Sequence, residues 1–129
     1  MTDYKNIKNK KITIIGLGSS GLESAKLSNY MGAKVFASDS SKNLSVSENA
    51  FHLMETEHIP VETGKHSNRI YDADLWVVSP GVAKSSSIIK LAQKKEIPIY
   101  SELEFASWFT KSPIIAITGS NGKTTTCYL

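Results

Sequence analysis

Short apolar runs alternate with amphipathic stretches along the chain, and this alternation predicts strands and helices in turn. The apolar runs are rich in β-branched residues, which is typical of strands buried on both faces of a parallel sheet. Strands are predicted at residues 11–15, 34–38, 60–62, 74–78 and 97–100. Helices are predicted at residues 19–31, 48–57, 87–95 and 101–109, with a loop at 40–47. This order predicts an α/β fold with a doubly wound, Rossmann-like sheet of about five parallel strands.

A second pattern starts near the end of the chain. Residues 111–113 are typical of a short linker, and the apolar run Ile114–Ile117 predicts one more strand. A Gly-rich stretch at residues 118–126 follows that strand directly. We therefore expect one domain at residues 1–110. At residues 111–129 we expect the first strand and phosphate-binding loop of an ATPase domain that is cut short.

A first Gly-rich loop, Gly16-Leu17-Gly18-Ser19-Ser20-Gly21, joins the first predicted strand to the first predicted helix. In G-x-G-x-x-G the first glycine permits a tight turn, the second lets a ligand approach the backbone, and the third lets the helix pack on the sheet. Asp39 closes the second predicted strand, where such folds place a carboxylate for a ribose hydroxyl. The loop therefore predicts nucleotide binding without identifying the nucleotide. A purely structural glycine turn, with Asp39 capping the turn that follows it, is the alternative.

The second Gly-rich loop runs from Thr118 to Thr126 and predicts a cradle for a nucleotide triphosphate. Backbone N–H groups and a helix start would hold the phosphates, Lys123 would neutralise their oxygens, and Thr124 would reach Mg²⁺. The general Walker spacing requires a glycine where this chain has Ile117, which disfavours a generic P-loop kinase or GTPase.

Composition narrows the possible partners. The chain has 129 residues, 40% of them apolar and 21% charged, and a net charge of +3. Arg69 is its only arginine, and the lysines are scattered, so a nucleic-acid groove is not expected. The single Cys127 rules out an internal disulfide, and we see no signal peptide and no run of about 18 apolar residues. We expect a cytoplasmic, monomeric protein with no membrane or nucleic-acid partner.

Other chemically conspicuous residues have ordinary interpretations. The histidines lack neighbouring metal ligands and are predicted to lie on the surface or in helix packing: His52, His58 and His66. Trp76 is predicted to pack in the core. Ser101 and Glu104 have capping-box spacing, so Glu102 and Glu104 are interpreted as residues of a helix start rather than a catalytic carboxylate pair.

Residues 118–125 resemble the T-G-[TS]-N-G-K-[TS]-T loop of the Mur ligases and folylpolyglutamate synthetases, which are ATP-dependent amide-bond ligases. The early Gly-rich loop on a Rossmann-like domain resembles the Mur ligases, which use it for the UDP part of their substrate. Ser79–Val82, Ser38–Ser40 and Glu102–Glu104 resemble the members that add D-glutamate to UDP-N-acetylmuramoyl-L-alanine. Members that add L-alanine typically have a different sequence in place of the Ser-Pro-Gly at residues 79–81, so a resemblance to them is less favoured. The resemblance covers nearly the whole chain.

The resemblance implies a role for each matching residue. On the UDP side it implies that the diphosphate is contacted by Gly18, Ser19, Ser20 and Gly21. It implies that Asp39 and Ser40 contact the uracil, and that Gly81 lies near the sugar-phosphate part. On the ATP side it implies binding by Gly119, Ser120, Asn121, Gly122, Lys123, Thr124 and Thr125. Lys123 and Thr124 would be catalytic, and Thr124 would hold Mg²⁺. The implied cofactors, ATP and Mg²⁺, belong to the whole enzyme.

The function implied is the UDP-N-acetylmuramoyl-L-alanine-binding, amino-terminal part of a D-glutamate-adding ligase of peptidoglycan synthesis, with roles in cell shape and division. The family's other Mg²⁺ ligands, its carbamylated lysine and its carboxy-terminal domain have no counterpart here, so the 129-residue chain itself is expected to be inactive. Two alternatives stay open: an NAD(P)-binding oxidoreductase or sensor domain, and a stand-alone nucleotide-binding module. Lys123 and its loop disfavour the oxidoreductase.

Overall fold

Five parallel strands form one sheet in the computed structural model, which describes residues 6–109. The strands are β1 (Lys11–Ile15), β2 (Lys34–Asp39), β3 (Val61–Thr63), β4 (Leu75–Val78) and β5 (Ile99–Ser101). They lie in the order β3-β2-β1-β4-β5, and every neighbouring pair is parallel. Strand order reverses between β1 and β4, which makes the carboxyl ends of these two strands the switch point where such sheets bind ligands. The predicted Rossmann-like sheet is confirmed, whereas the predicted strand Ile114–Ile117 lies outside the described residues.

Helices cover both faces of this sheet. They are α1 (Ser19–Tyr30), α2 (Leu44–Thr56), α3 (Ser87–Lys94) and α4 (Glu102–Ser107), with a 3₁₀ turn at Asn68–Tyr71. Buried residues of α1, α2 and α4 pack with one set of strand side chains, among them Ile14 and Val77. Buried residues of α3 and the 3₁₀ turn pack with the opposite set, among them Ile15 and Trp76. Because the sheet is buried on both faces, its strands are apolar along their length rather than alternating.

Trp76 lies in the core as the sequence predicts. It is fully buried in β4, and its indole Nε1–H donates a hydrogen bond of 2.7 Å to the carbonyl of Ile70. The bond satisfies the polar atom of a large apolar side chain and ties the 3₁₀ turn to the sheet.

Three predicted boundaries differ from the structure by two or more residues, and one of them is the end of α4, which lies at Ser107 rather than at residue 109. Helix α2 begins at Leu44 rather than at residue 48, because the Asn43 side chain accepts a hydrogen bond from the backbone N–H of Val46 at 2.9 Å and caps the helix. Strand β5 begins at Ile99 rather than at residue 97 and runs on to Ser101. Ser101 then caps α4, its hydroxyl accepting a 3.1 Å hydrogen bond from the N–H of Glu104, so the predicted helix start is confirmed.

Residues 6–109 contain neither a helix suited to span a membrane nor a cluster suited to bind a metal ion. None of the helices in this range has the length and apolar character needed to cross a bilayer. The same range contains no group of three or more histidine, cysteine, aspartate or glutamate residues placed to hold a metal ion.

Candidate functional site

Three loops lie side by side at the carboxyl edge of the sheet. Backbone hydrogen bonds of 2.9 Å join them: the N–H of Gly16 donates to the carbonyl of Ser38, and the N–H of Ser79 donates to the carbonyl of Ile15. The loops after β1, β2 and β4 are therefore held in a fixed arrangement. Together with the first turn of α1, they carry every UDP-side residue predicted from the sequence and bring these residues to one edge of the fold.

The three glycines of the first loop differ in how much space a side chain would have at each position. Gly16 has φ +101°, and a Cβ atom there would lie 2.5 Å from the Cβ of Ser79. A Cβ atom on Gly21 would lie 1.9 Å from the carbonyl oxygen of Gly16, so only glycine lets α1 approach the loop this closely. A Cβ atom on Gly18 would have nothing within 4 Å. Gly16 and Gly21 therefore shape the loop, and Gly18 leaves open space above it.

The first turn of α1 is suited to an anion. Gly18 occupies the N-cap position without a side-chain cap, and the first turn of the helix contains no acidic residue. Gly18, Ser19 and Ser20 are exposed to solvent. Because the first N–H groups of a helix lack partners within it and carry partial positive charge, this turn can receive a phosphate group.

Side chains fix both backbone groups of Leu17 in the middle of the loop. The Asp39 Oδ2 atom accepts a 2.7 Å hydrogen bond from the N–H of Leu17, and the Asn49 amide donates a 2.8 Å hydrogen bond to the Leu17 carbonyl. Asp39 also caps the turn after β2, because its Oδ1 atom accepts a 2.8 Å hydrogen bond from the N–H of Ser41. The capping that the sequence left as an alternative is therefore present. A carboxylate has about four acceptor positions, so Asp39 keeps capacity for a ligand.

Asn49 was missed by sequence reasoning. It belongs to α2 and is distant in sequence from Leu17. An asparagine within a helix carries no local signal of such a contact.

Ser40 and Gly81 lie on the same edge of the sheet. Ser40 is exposed immediately after β2. Gly81 is exposed in the turn after β4, where the N–H of Val82 donates a 3.0 Å hydrogen bond to the carbonyl of Ser79. The structure therefore brings these two predicted residues to the edge that carries the first Gly-rich loop.

A polar network lies behind Asp39 at the ends of β2 and β3. The Ser38 hydroxyl is 2.8 Å from Glu62 Oε2 and 2.7 Å from His66 Nδ1, and the N–H of Ser67 donates to the same Glu62 oxygen at 2.7 Å. Because a hydroxyl has one proton and Glu62 accepts it, the His66 Nδ1–H is the donor to Ser38. His66 is thus half-buried in a network instead of being an ordinary surface or helix-packing residue.

Burial and hydrogen bonding shift the pKa values of this network. Burial lowers the pKa of His66 below its usual 6.5, and this effect outweighs the nearby charges of Glu62 and Asp39. Burial alone would raise the pKa of Glu62, but hydrogen bonds from Ser67 and Ser38, with His66 beside it, lower it overall. The network therefore favours a neutral histidine and an ionised glutamate.

Glu102 lies at the back of the Gly-rich loop and was underestimated from the sequence. Its side chain borders an open cavity of about 630 Å³ between α1 and α4, together with Ser20, Glu23 and Pro80. Only 9% of the residue is exposed, and its Oε2 atom has no hydrogen-bond partner among the described residues. Burial raises the pKa of Glu102, and the Ser20 hydroxyl opposes this effect. A position in the first turn of α4 explains why residue 102 is acidic, but it does not explain why the carboxylate of Glu102 is buried.

The ATP-side residues predicted from the sequence lie outside the described residues. They are Gly119, Ser120, Asn121, Gly122, Lys123, Thr124 and Thr125. Cys127 lies outside them as well.

Comparison with known proteins matches the chain to a ligase family. Residues 10–101 match the family model described as "Mur ligase MurD-like, N-terminal domain". The chain is 45% identical over 125 residues to the UDP-N-acetylmuramoylalanine–D-glutamate ligase of Chloroherpeton thalassium, a match that covers 95% of this chain and 26% of that relative. The chain thus spans about a quarter of the length of the curated relatives it matches.

Solved structures confirm the fold. A Neisseria meningitides UDP-N-acetylmuramate:L-alanyl-gamma-D-glutamyl-meso-diaminopimelate ligase superposes with a TM-score of 0.62 at 20% identity, over 78% of this chain and 31% of that one. L-tryptophan dehydrogenase from Nostoc punctiforme superposes with a TM-score of 0.55 at 16% identity, over 74% of this chain and 27% of that one. At these identities the likeness concerns the Rossmann-like fold alone.

Proposed function

The chain belongs to the Mur ligase family as a MurD-like N-terminal domain, and we propose that it binds UDP-N-acetylmuramoyl-L-alanine for an ATP-dependent ligase that adds D-glutamate. The proposal is supported by the relative from Chloroherpeton thalassium, which is named as a UDP-N-acetylmuramoylalanine–D-glutamate ligase. The proposal places the chain in peptidoglycan synthesis.

The observation that carries this proposal is the uncapped first turn of α1 at the switch point of the sheet. Gly18 leaves open space there, and Ser19 and Ser20 are exposed beside it. A diphosphate on this turn would meet unpartnered N–H groups and the positive end of the helix. Asp39, already held by Leu17 and Ser41, would present its remaining acceptor positions to the uracil with Ser40. Gly81 would lie along the sugar-phosphate part.

ATP and Mg²⁺ are proposed for the second Gly-rich loop, at residues 118–126. The donor set fits them: glycines admit phosphates to the backbone, Lys123 is a cation for phosphate oxygens, and the Thr124 hydroxyl suits a hard cation. Bound ATP supplies the activation that amide-bond formation needs. Phosphoryl transfer also requires charges from several chain segments, so a polypeptide of these 129 residues is expected to bind the UDP compound without turning over ATP.

A calorimetric titration of the 129-residue chain tests the UDP assignment. The ligands are UDP-N-acetylmuramoyl-L-alanine, UDP, NADH and ATP. We expect measurable binding of the two UDP compounds and none of NADH. Tighter binding of NADH than of every UDP compound would show an oxidoreductase-type domain instead.

A pair of variants locates the binding. Gly18→Val places a side chain in the open space above α1, where nothing on the protein obstructs it, so the fold should persist while UDP binding is lost. Thr56→Val changes an exposed residue at the far end of α2 and should leave binding unchanged. Equal affinity in the Gly18→Val variant and the unchanged chain would exclude this loop as the phosphate site.

A further inference from the structure

The buried carboxylate of Glu102 lies against the same helix turn that the proposed function gives to the diphosphate. A Cβ atom on Gly21, in the first turn of α1, would be 3.5 Å from Glu102 Oε2. This oxygen is buried and has no hydrogen-bond partner in residues 6–109. Neither the loop motif nor the helix cap accounts for a buried carboxylate oxygen without a partner at this place.

The charge around Glu102 is unbalanced. Of the described residues that line its cavity, none is a lysine or arginine, and the other titratable residue is Glu23 on α1. On α4 itself, Glu104 is exposed. Among these groups, the ones that favour an ionised Glu102 are the positive end of α1 and the Ser20 hydroxyl beside it. A diphosphate would use that same positive end.

We propose that Glu102 controls the affinity of the loop by competing, as an anion, with the diphosphate for the first turn of α1. Ligand binding is then coupled to partial uptake of a proton, at most one, by Glu102. This inference rests on the proposed function and adds its regulation by pH. The proton comes from solvent to a carboxylate oxygen, the diphosphate keeps its charge, and no covalent bond in the ligand changes.

The direction of the pH effect follows from like-charge repulsion. Burial already raises the pKa of Glu102 in the free chain, and an adjacent dianion raises it further. Affinity is therefore highest below the free-chain pKa, falls as pH rises from that value to the bound-state pKa, and is constant above both. A shift of about one pKa unit on binding corresponds to an affinity change of about tenfold.

Calorimetry with UDP-N-acetylmuramoyl-L-alanine tests the coupling, because the diphosphate of this ligand is a diester that does not titrate near neutral pH. Titrations of the 129-residue chain in two buffers of different ionisation enthalpy count the protons taken up. We expect net uptake in the transition range and about tenfold tighter binding on its acidic side than on its alkaline side. Glu102→Gln should remove the uptake and, on the alkaline side, bind about tenfold tighter than the unchanged chain. Glu104→Gln, an exposed neighbour on the same helix, should behave as the unchanged chain does.

The outcomes separate the two proposals. If the unchanged chain binds the ligand but takes up no proton, or if Glu102→Gln keeps the uptake and the affinity, the role of Glu102 is overturned and the UDP assignment stands. If the unchanged chain does not bind at any pH, both are overturned. Circular dichroism checks that the Gln variant folds, and the proton count on the unchanged chain decides the question if it does not.

Discussion

The Asp39 carboxylate at the end of β2 accepts a 2.7 Å hydrogen bond from the backbone N–H of Leu17 in the loop after β1. A strand-end aspartate thus holds the neighbouring Gly-rich loop directly. Its second oxygen accepts a hydrogen bond from Ser41, so one side chain fixes two of the three loops at the site. The shape of the loop is therefore established before any ligand arrives, which lowers the ordering cost of binding.

Asp39→Ala should cost about 2 kcal/mol in the free energy of unfolding, because hydrogen bonds to charged groups contribute about 1.5–3 kcal/mol each and part is recovered by relaxation. It should also weaken binding of the UDP compound by freeing Leu17. Urea unfolding and calorimetry measure the two effects. Asp72→Ala, which removes an exposed ion pair with Lys11, should cost less than about 1 kcal/mol and leave binding unchanged. Equal costs for both variants would contradict a structural role for Asp39.

Gly21→Ala should destabilise the fold by about 3 kcal/mol, because the new methyl group would meet the Gly16 carbonyl oxygen at 1.9 Å and force α1 away from β1. Gly18→Ala is the matched substitution in the same loop and has open space around it. It should change the free energy of unfolding by less than about 1 kcal/mol while weakening ligand binding. Thermal unfolding separates them, and similar melting temperatures would show that the third glycine has no packing role.

The fold was predictable because its signals are local and repeated. Apolar runs such as Ile12–Ile15 and Leu75–Val78 are long enough to identify strands buried on both faces, and the glycine loop between β1 and α1 fixes where the first βα unit turns. The start of α2 was wrong because Asn43 caps a first turn, residues 44–47, whose serines are equally typical of a loop.

The site was predictable only in part. Glycine spacing and strand-end residues such as Asp39 point to the edge proposed for the ligand, since the carboxyl ends of parallel strands share one side of the sheet. Asn49 and Glu102 were not recognised, because their roles depend on how α2 and α4 pack against the first loop. Contacts of this kind depend on tertiary packing, and no local or periodic sequence pattern indicates them.

The stability of the fold should fall on acidification through the titration of His66. Because burial lowers the folded-state pKa of His66 below 6.5, the unfolded chain binds more protons between those two values. Stability in that window therefore rises with pH and is lost as pH falls. His66→Gln should flatten the dependence of the urea midpoint on pH between about 7.5 and 5, at a cost of about 1 kcal/mol at the higher pH. His52→Gln, on α2 outside the network, should retain the slope, and an unchanged slope in His66→Gln would contradict the argument.

In a full-length ligase that carries this sequence, Lys123→Ala should reduce ligation by at least about a thousandfold, because phosphoryl transfer depends on positioned charges at the phosphates. Binding of UDP-N-acetylmuramoyl-L-alanine should stay within about twofold, since the proposed site for it lies in the β1, β2 and β4 loops. Steady-state phosphate release and calorimetry give the two quantities. Full activity of the variant would remove the ATP assignment of residues 118–126.

Asn49→Ala should separate positioning of the loop from stability of the fold. The variant loses the 2.8 Å hydrogen bond from the Asn49 amide to the Leu17 carbonyl, which should cost about 1 kcal/mol in the free energy of unfolding. Asn29→Ala is a close control, because Asn29 on α1 donates a 3.1 Å amide hydrogen bond to the carbonyl of Glu57, away from the loop. The two variants should lose similar stability, but only Asn49→Ala should weaken binding of the UDP compound, by about threefold to tenfold, since Leu17 then has Asp39 alone to hold it. Equal affinity in both variants would mean that the Leu17 carbonyl needs no anchor for ligand binding.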